Sequence, residues 1–128
     1  LWTLAVVQVN GSGYEELMTT SNIHEPMFNV DASGVFFLRE IDGQTWVEEY
    51  VFETGEVRTR AVLSETFGDW YDLRWEDARP GLLSAVGVLH RNESFVVEER
   101  SFVLFDLEEA SGEVLFSSSG FTTFLGVR

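Results

Sequence analysis

The sequence predicts an all-β fold, and three observations lead to this prediction. An aromatic residue with a glycine six positions later and an apolar run after it occurs twice, at Phe28 and Gly34 and again at Trp75 and Gly81. Each copy leads to a further apolar stretch that closes on Gly-Glu-Val. No window of about 11 residues keeps apolar positions at helical spacing. A repeat of about 40–50 residues built from short strands and glycine turns is typical of β-propeller blades.

Short apolar segments separated by turn residues give the predicted strands in order. Asn10-Gly11 and Asp42-Gly43 are expected at tight turns, because glycine accepts the backbone geometry that such turns require. The runs at 35–40 and 82–89 are apolar throughout, which predicts burial on both faces. The predicted strands are 4–9, 14–20, 27–30, 35–40, 45–53, 56–63, 69–75, 82–89, 95–99, 101–107, 114–118 and 120–128, with a polar hairpin loop at 90–94.

The number of predicted strands raises a question about closure. Four strands per blade give about three antiparallel blades, whereas propellers close with about four to eight. Residues 1–128 are therefore expected to be a single all-β domain or a segment of a larger propeller. A single β-barrel or β-sandwich of about eight to ten strands satisfies the same alternation and stays open as the alternative. The second cycle is longer than the first, which places an insertion near the hairpin at 90–101.

Residues 4–63 resemble the TolB-type β-propeller repeat, and the resemblance continues more weakly to Ser118. The matching parts are the Asn10-Gly11-Ser12-Gly13 turn, the strand that ends in Leu17-Met18-Thr19-Thr20, and the Phe28 to Gly34 motif. The second copy keeps Trp75 and Gly81 but differs between them. The resemblance implies an interaction platform or a gating domain beside a peptidase, and it transfers no catalytic residue.

The strongly acidic composition limits the classes of partner that this chain can bind. Twenty-two acidic residues oppose eight basic ones, all of them arginine, and the formal net charge is −14. Such a chain repels nucleic acid and anionic membrane surfaces. No apolar run approaches the ~18 residues of a membrane-spanning helix. Two interpretations of this acidity stay open. One is ordinary solubility, and the other is adaptation to high salt, where dissolved ions screen the repulsion between the carboxylates. An extracellular or periplasmic location is expected.

Residues with catalytic potential form no recognisable pattern, so the sequence predicts no enzyme, no cofactor and no metal site. His24 and His90 are expected in solvated loops, and no Gly-x-Ser-x-Gly element is present. Four Glu-Glu pairs are expected on strands with successive side chains on opposite faces, which prevents joint acid and nucleophile chemistry. They are expected to form a solvated acidic surface or to place one member in a polar channel, and cation binding is the remaining interpretation. Asn10 and Asn92 begin Asn-x-Ser sequons, and the sequence leaves open whether either carries a glycan.

Large aromatic side chains are the best binding candidates. The four that we single out for contact with a partner are Trp46, Trp70, Tyr71 and Trp75. Core packing is the competing interpretation for each of them. The predicted function is a non-enzymatic protein-interaction or scaffold module, with a protein partner or self-association into a homo-oligomer. Two alternatives remain: a self-assembling structural subunit that pairs through edge strands at 1–9 or 121–127, and a small barrel that carries an apolar ligand.

Overall fold

The chain is built from β-strands. The computed structural model describes residues 1–93, 95–119 and 123–128, and its description of 90–97 is confined to the backbone. Within these residues no helix is found, and therefore none that could cross a membrane. The strands are β1 (Trp2–Val6), β2 (Glu15–Thr20), β3 (Ile23–Phe28), β4 (Gly34–Ile41), β5 (Gln44–Val51), β6 (Val57–Leu63), β7 (Asp69–Trp75), β8 (Leu82–Glu93), β9 (Phe95–Asp106) and β10 (Ser111–Ser119).

Eight of the strands form one nearly closed, barrel-like sheet. Two antiparallel four-stranded meanders, β3 to β6 and β7 to β10, lie side by side in the order β3-β4-β5-β6-β10-β9-β8-β7. They join where Ser111 of β10 pairs in parallel with Val62 of β6, and β3 lies beside β7 at the other seam. The all-β prediction is confirmed, and the arrangement fits the alternative single barrel. Separate propeller blades are not confirmed, because a blade is its own four-stranded sheet.

The repeated motif marks the first turn of each meander. Phe28 ends β3 and Gly34 begins β4, while Trp75 ends β7 and Gly81 immediately precedes β8. The glycines are required for different reasons. A Cβ at Gly34 would lie 2.3 Å from the backbone oxygen of Tyr50, and Gly81 has a φ of +81°. The repeat in the sequence therefore identifies a four-stranded unit that occurs twice.

The second meander is longer because its central hairpin is longer. Strands β8 and β9 have 12 residues each, whereas β4 and β5 have 8 each. The hairpin near which the sequence predicts an insertion of about 15 residues is thus longer by eight strand residues, which is part of the predicted length. The predicted loop at 90–94 is wrong for residues 90–93, which continue β8 and pair with β9; residue 94 lies outside the described residues. An added pair of residues extends an antiparallel ladder without changing its register.

The inside of the barrel is filled by apolar side chains from both meanders. Gly87 illustrates how closely they pack, since a Cβ there would lie 2.5 Å from the ring of Phe67. Such packing leaves little room for the apolar ligand that one alternative places inside the barrel. The buried residues of this interior are Phe36, Leu38, Val47, Ala61, Leu63, Phe67, Trp70, Leu73, Leu83, Ala85, Val103 and Phe105.

One carboxylate fixes the connection between the two meanders. Glu40, near the end of β4, accepts hydrogen bonds at Oε1 from the backbone N–H groups of Phe67 and Gly68, both at 3.0 Å. The same oxygen accepts from Nε1 of Trp70 at 2.7 Å. These three donors come from the connecting segment and from the start of β7. Glu40 therefore anchors the second meander to the first through charge-assisted hydrogen bonds.

The adjacent Glu48 and Glu49 are both buried, on opposite faces of β5. Glu48 lies on the outer face and pairs with Arg39 at 2.6 Å, while Glu49 pairs with Arg60 at 2.6 Å. Arg60 also lies over the ring of Phe36, 5.5 Å from its centroid. The predicted alternation of faces is confirmed for this pair. A solvated acidic surface is wrong for it, because each carboxylate is compensated by a guanidinium group.

Terminal segments cover the outer faces of both meanders. The β1–β2 hairpin packs over the first, where Leu4 contacts the cluster of Ile23, Val35 and Phe37. Residues 123–128 cover the second, where Phe124 and Val127 pack against Val86, Val88 and Phe102.

The predicted strand at 120–128 is wrong for its described part, residues 123–128, which belong to no β-ladder. Side chains of β7 and of the residue after it bind the backbone of this segment instead. The guanidinium group of Arg74 donates a hydrogen bond to the backbone oxygen of Phe124 at 3.1 Å, and the Glu76 carboxylate accepts one from the backbone N–H of Val127 at 3.2 Å.

Candidate binding surface

The four aromatic candidates divide between the interior and the surface. Trp70 is 3% exposed and belongs to the barrel core. Trp75 is half-buried against that core and meets Phe36 edge to face, with the ring centroids 5.2 Å apart. Trp46 is half-buried on β5, opposite Arg39 of β4. Tyr71 is 47% exposed. The structure brings Trp70 and Trp75 into one core and leaves Tyr71 as the most exposed of the four.

Tyr71 begins an apolar row that crosses the outer face of the second meander. The ladder pairs Tyr71 with Val86, Val86 with Phe102, and Phe102 with Phe116. Side chains that are paired in this way stand side by side on one face of a sheet. We call these four residues, one from each strand of the meander, the outer row.

Two bulges decide which side chains belong to the outer row. On β10 the register shifts between Val114 and Phe116, so that Val114 packs against the core while Phe116 lies outside with Phe102. On β7 it shifts between Tyr71 and Arg74. An extra residue on one strand reverses the face of the residues that follow it. Sequence reasoning missed Phe116 for this reason, since strict alternation from Val114 would place it inside.

The ends of the outer row are exposed and its centre is covered. Val86 is 7% exposed and Phe102 6%, whereas Tyr71 and Phe116 are 47% and 58% exposed. Phe124 covers the centre, because it packs against Val86 and Phe102 and its ring centroid lies 5.1 Å from that of Phe102. The Phe124 ring also meets Phe116 edge to face, with the centroids 6.0 Å apart. The surface therefore presents two exposed aromatic side chains on either side of a buried centre.

A small cleft lies beside the Tyr71 end of the outer row. It encloses about 200 Å³ and is lined by Tyr71, Asp72, Val86, Arg100, Thr123 and Phe124. The guanidinium group of Arg100 pairs with Glu98 at 2.7 Å. Asp72 is exposed. The cleft thus combines aromatic and apolar walls with a carboxylate at the rim, a combination suited to an amphipathic side chain.

The cleft adjoins the seam between β3 and β7, where each strand carries a residue in the left-handed region. These are Glu25 with φ +50° and Asp72 with φ +56°. Partial burial raises the pKa of Glu25 above its ordinary value, and the negative charge of Asp72 raises it further. The Asp72 backbone N–H, which donates a hydrogen bond, and the nearby His24 lower the pKa of Glu25.

His24 is half-buried on β3, so its predicted position in a solvated loop is wrong. The side chains of His90 and Asn92 lie outside the described residues.

The first meander carries a comparable row, which serves as an internal control. Phe28, Val35, Tyr50 and Val57 are paired in turn across β3, β4, β5 and β6. Val35 is buried under the β1–β2 hairpin, while Phe28 and Val57 at the two ends are exposed. The fold thus leaves two open apolar ends on each meander. We call this set the control row.

The remaining chemistry-bearing groups are dispersed. Among the residues that the structure describes, no group of three or more His, Cys, Asp or Glu side chains is placed to hold a metal ion. Comparison with protein-family models, curated proteins and solved structures finds no match to this chain. The exposed ends of the outer row and the adjoining cleft are therefore the features of this molecule that bear on its function.

Proposed function

We propose that this protein is a non-enzymatic interaction module that binds a protein partner through the outer row. The observation that carries the proposal is the pair of exposed aromatic ends, Tyr71 and Phe116, which lie on either side of a buried centre and beside a cleft. Aromatic side chains are preferred anchors of protein interfaces, because they bury a large area and lose little conformational entropy when they are covered.

The experiment selects short peptides from a random library displayed on phage, with the whole chain as the target. Selected peptides are then measured against two double variants, Tyr71→Ser with Phe116→Ser and Phe28→Ser with Val57→Ser. The first removes both ends of the outer row, and the second removes both ends of the control row. Each ring lost from an interface centre costs 1 kcal/mol or more, so we expect affinity for the first variant to fall by about tenfold or more.

Two outcomes contradict the proposal. One is a set of selected peptides that bind both double variants as tightly as the original chain. The other is a selection from which no peptide emerges above background. Thermal unfolding of both variants provides the control for folding, and each is expected to change little because the substituted side chains are exposed.

Self-association is a second candidate, and the β1–β2 hairpin favours it. Among the described residues β1 has one hydrogen-bonded neighbour, β2, and the hairpin forms a sheet of two strands. Trp2, at the start of β1, is exposed. A strand with a free edge can pair with another chain. Sedimentation equilibrium at high protein concentration tests this candidate, and a monomeric mass would exclude it.

A further inference from the structure

We infer that the partner of the outer row is an extended, positively charged protein segment with two apolar residues four positions apart. This inference rests on the proposed function and specifies the chemistry of the partner. Three features of the molecule carry it: the carboxylates around the row, the pairing of the arginines, and the distance between the two exposed rings.

Carboxylates stand at both ends of the outer row. Asp72 is exposed beside Tyr71 and lines the cleft. Glu113 is exposed on β10, where it is paired with Leu104, two ladder positions from the pair of Phe116 and Phe102 and on the same face of the sheet. A cationic side chain that reaches past either ring meets one of these carboxylates. Charge complementarity at the rim of an apolar contact guides association and discriminates against partners of the wrong sign.

Two arginines on the strands of this surface, Arg74 and Arg100, are paired with carboxylates, while Arg128 is exposed at the end of the segment that covers it. Arg100, the cation of the cleft, pairs with Glu98 at 2.7 Å. Arg74, on the same face, pairs with Glu76. Four further arginines pair with carboxylates elsewhere in the described residues: Arg39, Arg58, Arg60 and Arg79. With a formal net charge of −14, the chain attracts a cationic segment and repels an acidic one.

The geometry of the sheet sets the spacing in the partner. Tyr71 and Phe116 lie on the first and last of four adjacent strands. Strands are about 4.8 Å apart, so the two residues are separated by about 14 Å across the sheet. An extended chain advances about 3.4 Å per residue and returns to the same side every second residue. Residues i and i+4 of an extended partner therefore meet the two rings from one face, passing over Phe124.

Three labelled peptides test this inference by fluorescence anisotropy. The first has the sequence Arg-Phe-Ser-Gly-Ser-Phe-Arg, and the other two replace both arginines by glutamine or by glutamate. We expect the arginine peptide to bind about tenfold more tightly than the glutamine peptide, and the glutamate peptide to bind more weakly still. Raising NaCl from about 0.1 to 1 M should remove most of the difference between the first two.

Variants of the protein locate the binding. Asp72→Asn with Glu113→Gln should weaken the arginine peptide and leave the glutamine peptide unchanged. Tyr71→Ser with Phe116→Ser should weaken both, whereas Phe28→Ser with Val57→Ser should weaken neither. A peptide whose second Phe is moved by one position should lose affinity, since its two rings then point to opposite sides.

Three results would contradict the inference, and each has a different meaning for the proposed function. Equal binding of the arginine and glutamine peptides at the outer row would overturn the positive charge of the partner and leave the proposed function standing. Undiminished binding of the arginine peptide to Tyr71→Ser with Phe116→Ser would reduce the effect to adsorption on an acidic surface and overturn the inference. Failure of all three peptides would overturn it too, while the library selection judges the proposed function separately.

Discussion

Removal of the Glu40 carboxylate is expected to loosen the attachment of the second meander to the first. In Glu40→Ala the N–H groups of Phe67 and Gly68 and the Nε1–H of Trp70 lose their common acceptor. A buried donor without a partner costs about 1–3 kcal/mol. Gly68 is exposed, and water can replace the carboxylate there. The total loss of unfolding free energy is therefore about 2–4 kcal/mol, or about 8–15 °C in the melting temperature of a chain of this size.

Urea unfolding followed by circular dichroism measures this loss, and two further variants define its cause. Glu40→Gln keeps an acceptor oxygen without its charge and should cost about 1 kcal/mol. Trp70→Phe removes one of the three donors, so Glu40→Ala should cost about 1 kcal/mol less in that background than in the original chain. Glu53→Ala, at an exposed carboxylate in the turn after β5, is the control and should be within about 0.5 kcal/mol of the original.

A Glu40→Ala variant as stable as the control would refute the reasoning. So would an equal cost of the substitution with and without the Trp70 indole, because the carboxylate would then act independently of that donor.

Three further predictions concern packing, pH and salt. Gly87→Ala brings a Cβ to 2.5 Å from the Phe67 ring and should cost about 1–3 kcal/mol in urea unfolding; Phe67→Leu should recover part of that cost, and an equal cost in both backgrounds would contradict the clash. The pKa of Glu25 is raised in the folded state, which therefore holds this proton more tightly than the unfolded chain. Glu25→Gln should thus be the more stable form at pH 7, by less than about 1 kcal/mol after screening by solvent, and its advantage should shrink as the pH falls toward the ordinary Glu pKa of 4.5. A stability difference that stays constant over this range would exclude Glu25 as its source. The net charge of −14 predicts a melting temperature that rises between about 0.1 and 2 M NaCl, and equal values in differential scanning calorimetry would contradict adaptation to high salt.

Much of the strand pattern could be read from the sequence. The strand at 69–75 was predicted with the bounds of β7, and those at 35–40 and 56–63 differ from β4 and β6 by a residue at one or both ends. These segments are bounded by turn residues whose backbone requirements are local, which explains the agreement. The β3 prediction was poorer, starting at Met27 instead of Ile23, because His24, Glu25 and Pro26 obscure the apolar alternation.

The candidate surface could be predicted only in part. Tyr71 was identified as a binding candidate, and it is the most exposed of the four aromatic candidates. Trp70, its neighbour in the sequence, points into the core because successive strand residues face opposite sides. Phe116 was missed because the bulge after Val114 reverses the faces of β10. Glu40 was missed because its three donors lie 27 to 30 positions away in the chain.

The sequence by itself determined that this protein is all-β and that a turn motif occurs twice, at Phe28 to Gly34 and at Trp75 to Gly81, whereas its expectation of about three blades differs from the two four-stranded meanders of the structure. Local rules suffice for both, since turns and alternation are properties of neighbouring residues. Only the tertiary structure decided that the two meanders join through β6 and β10 in one nearly closed sheet, and that the outer row exists. Both depend on pairings between distant strands and on bulges, and neither leaves a local pattern that the sequence could reveal.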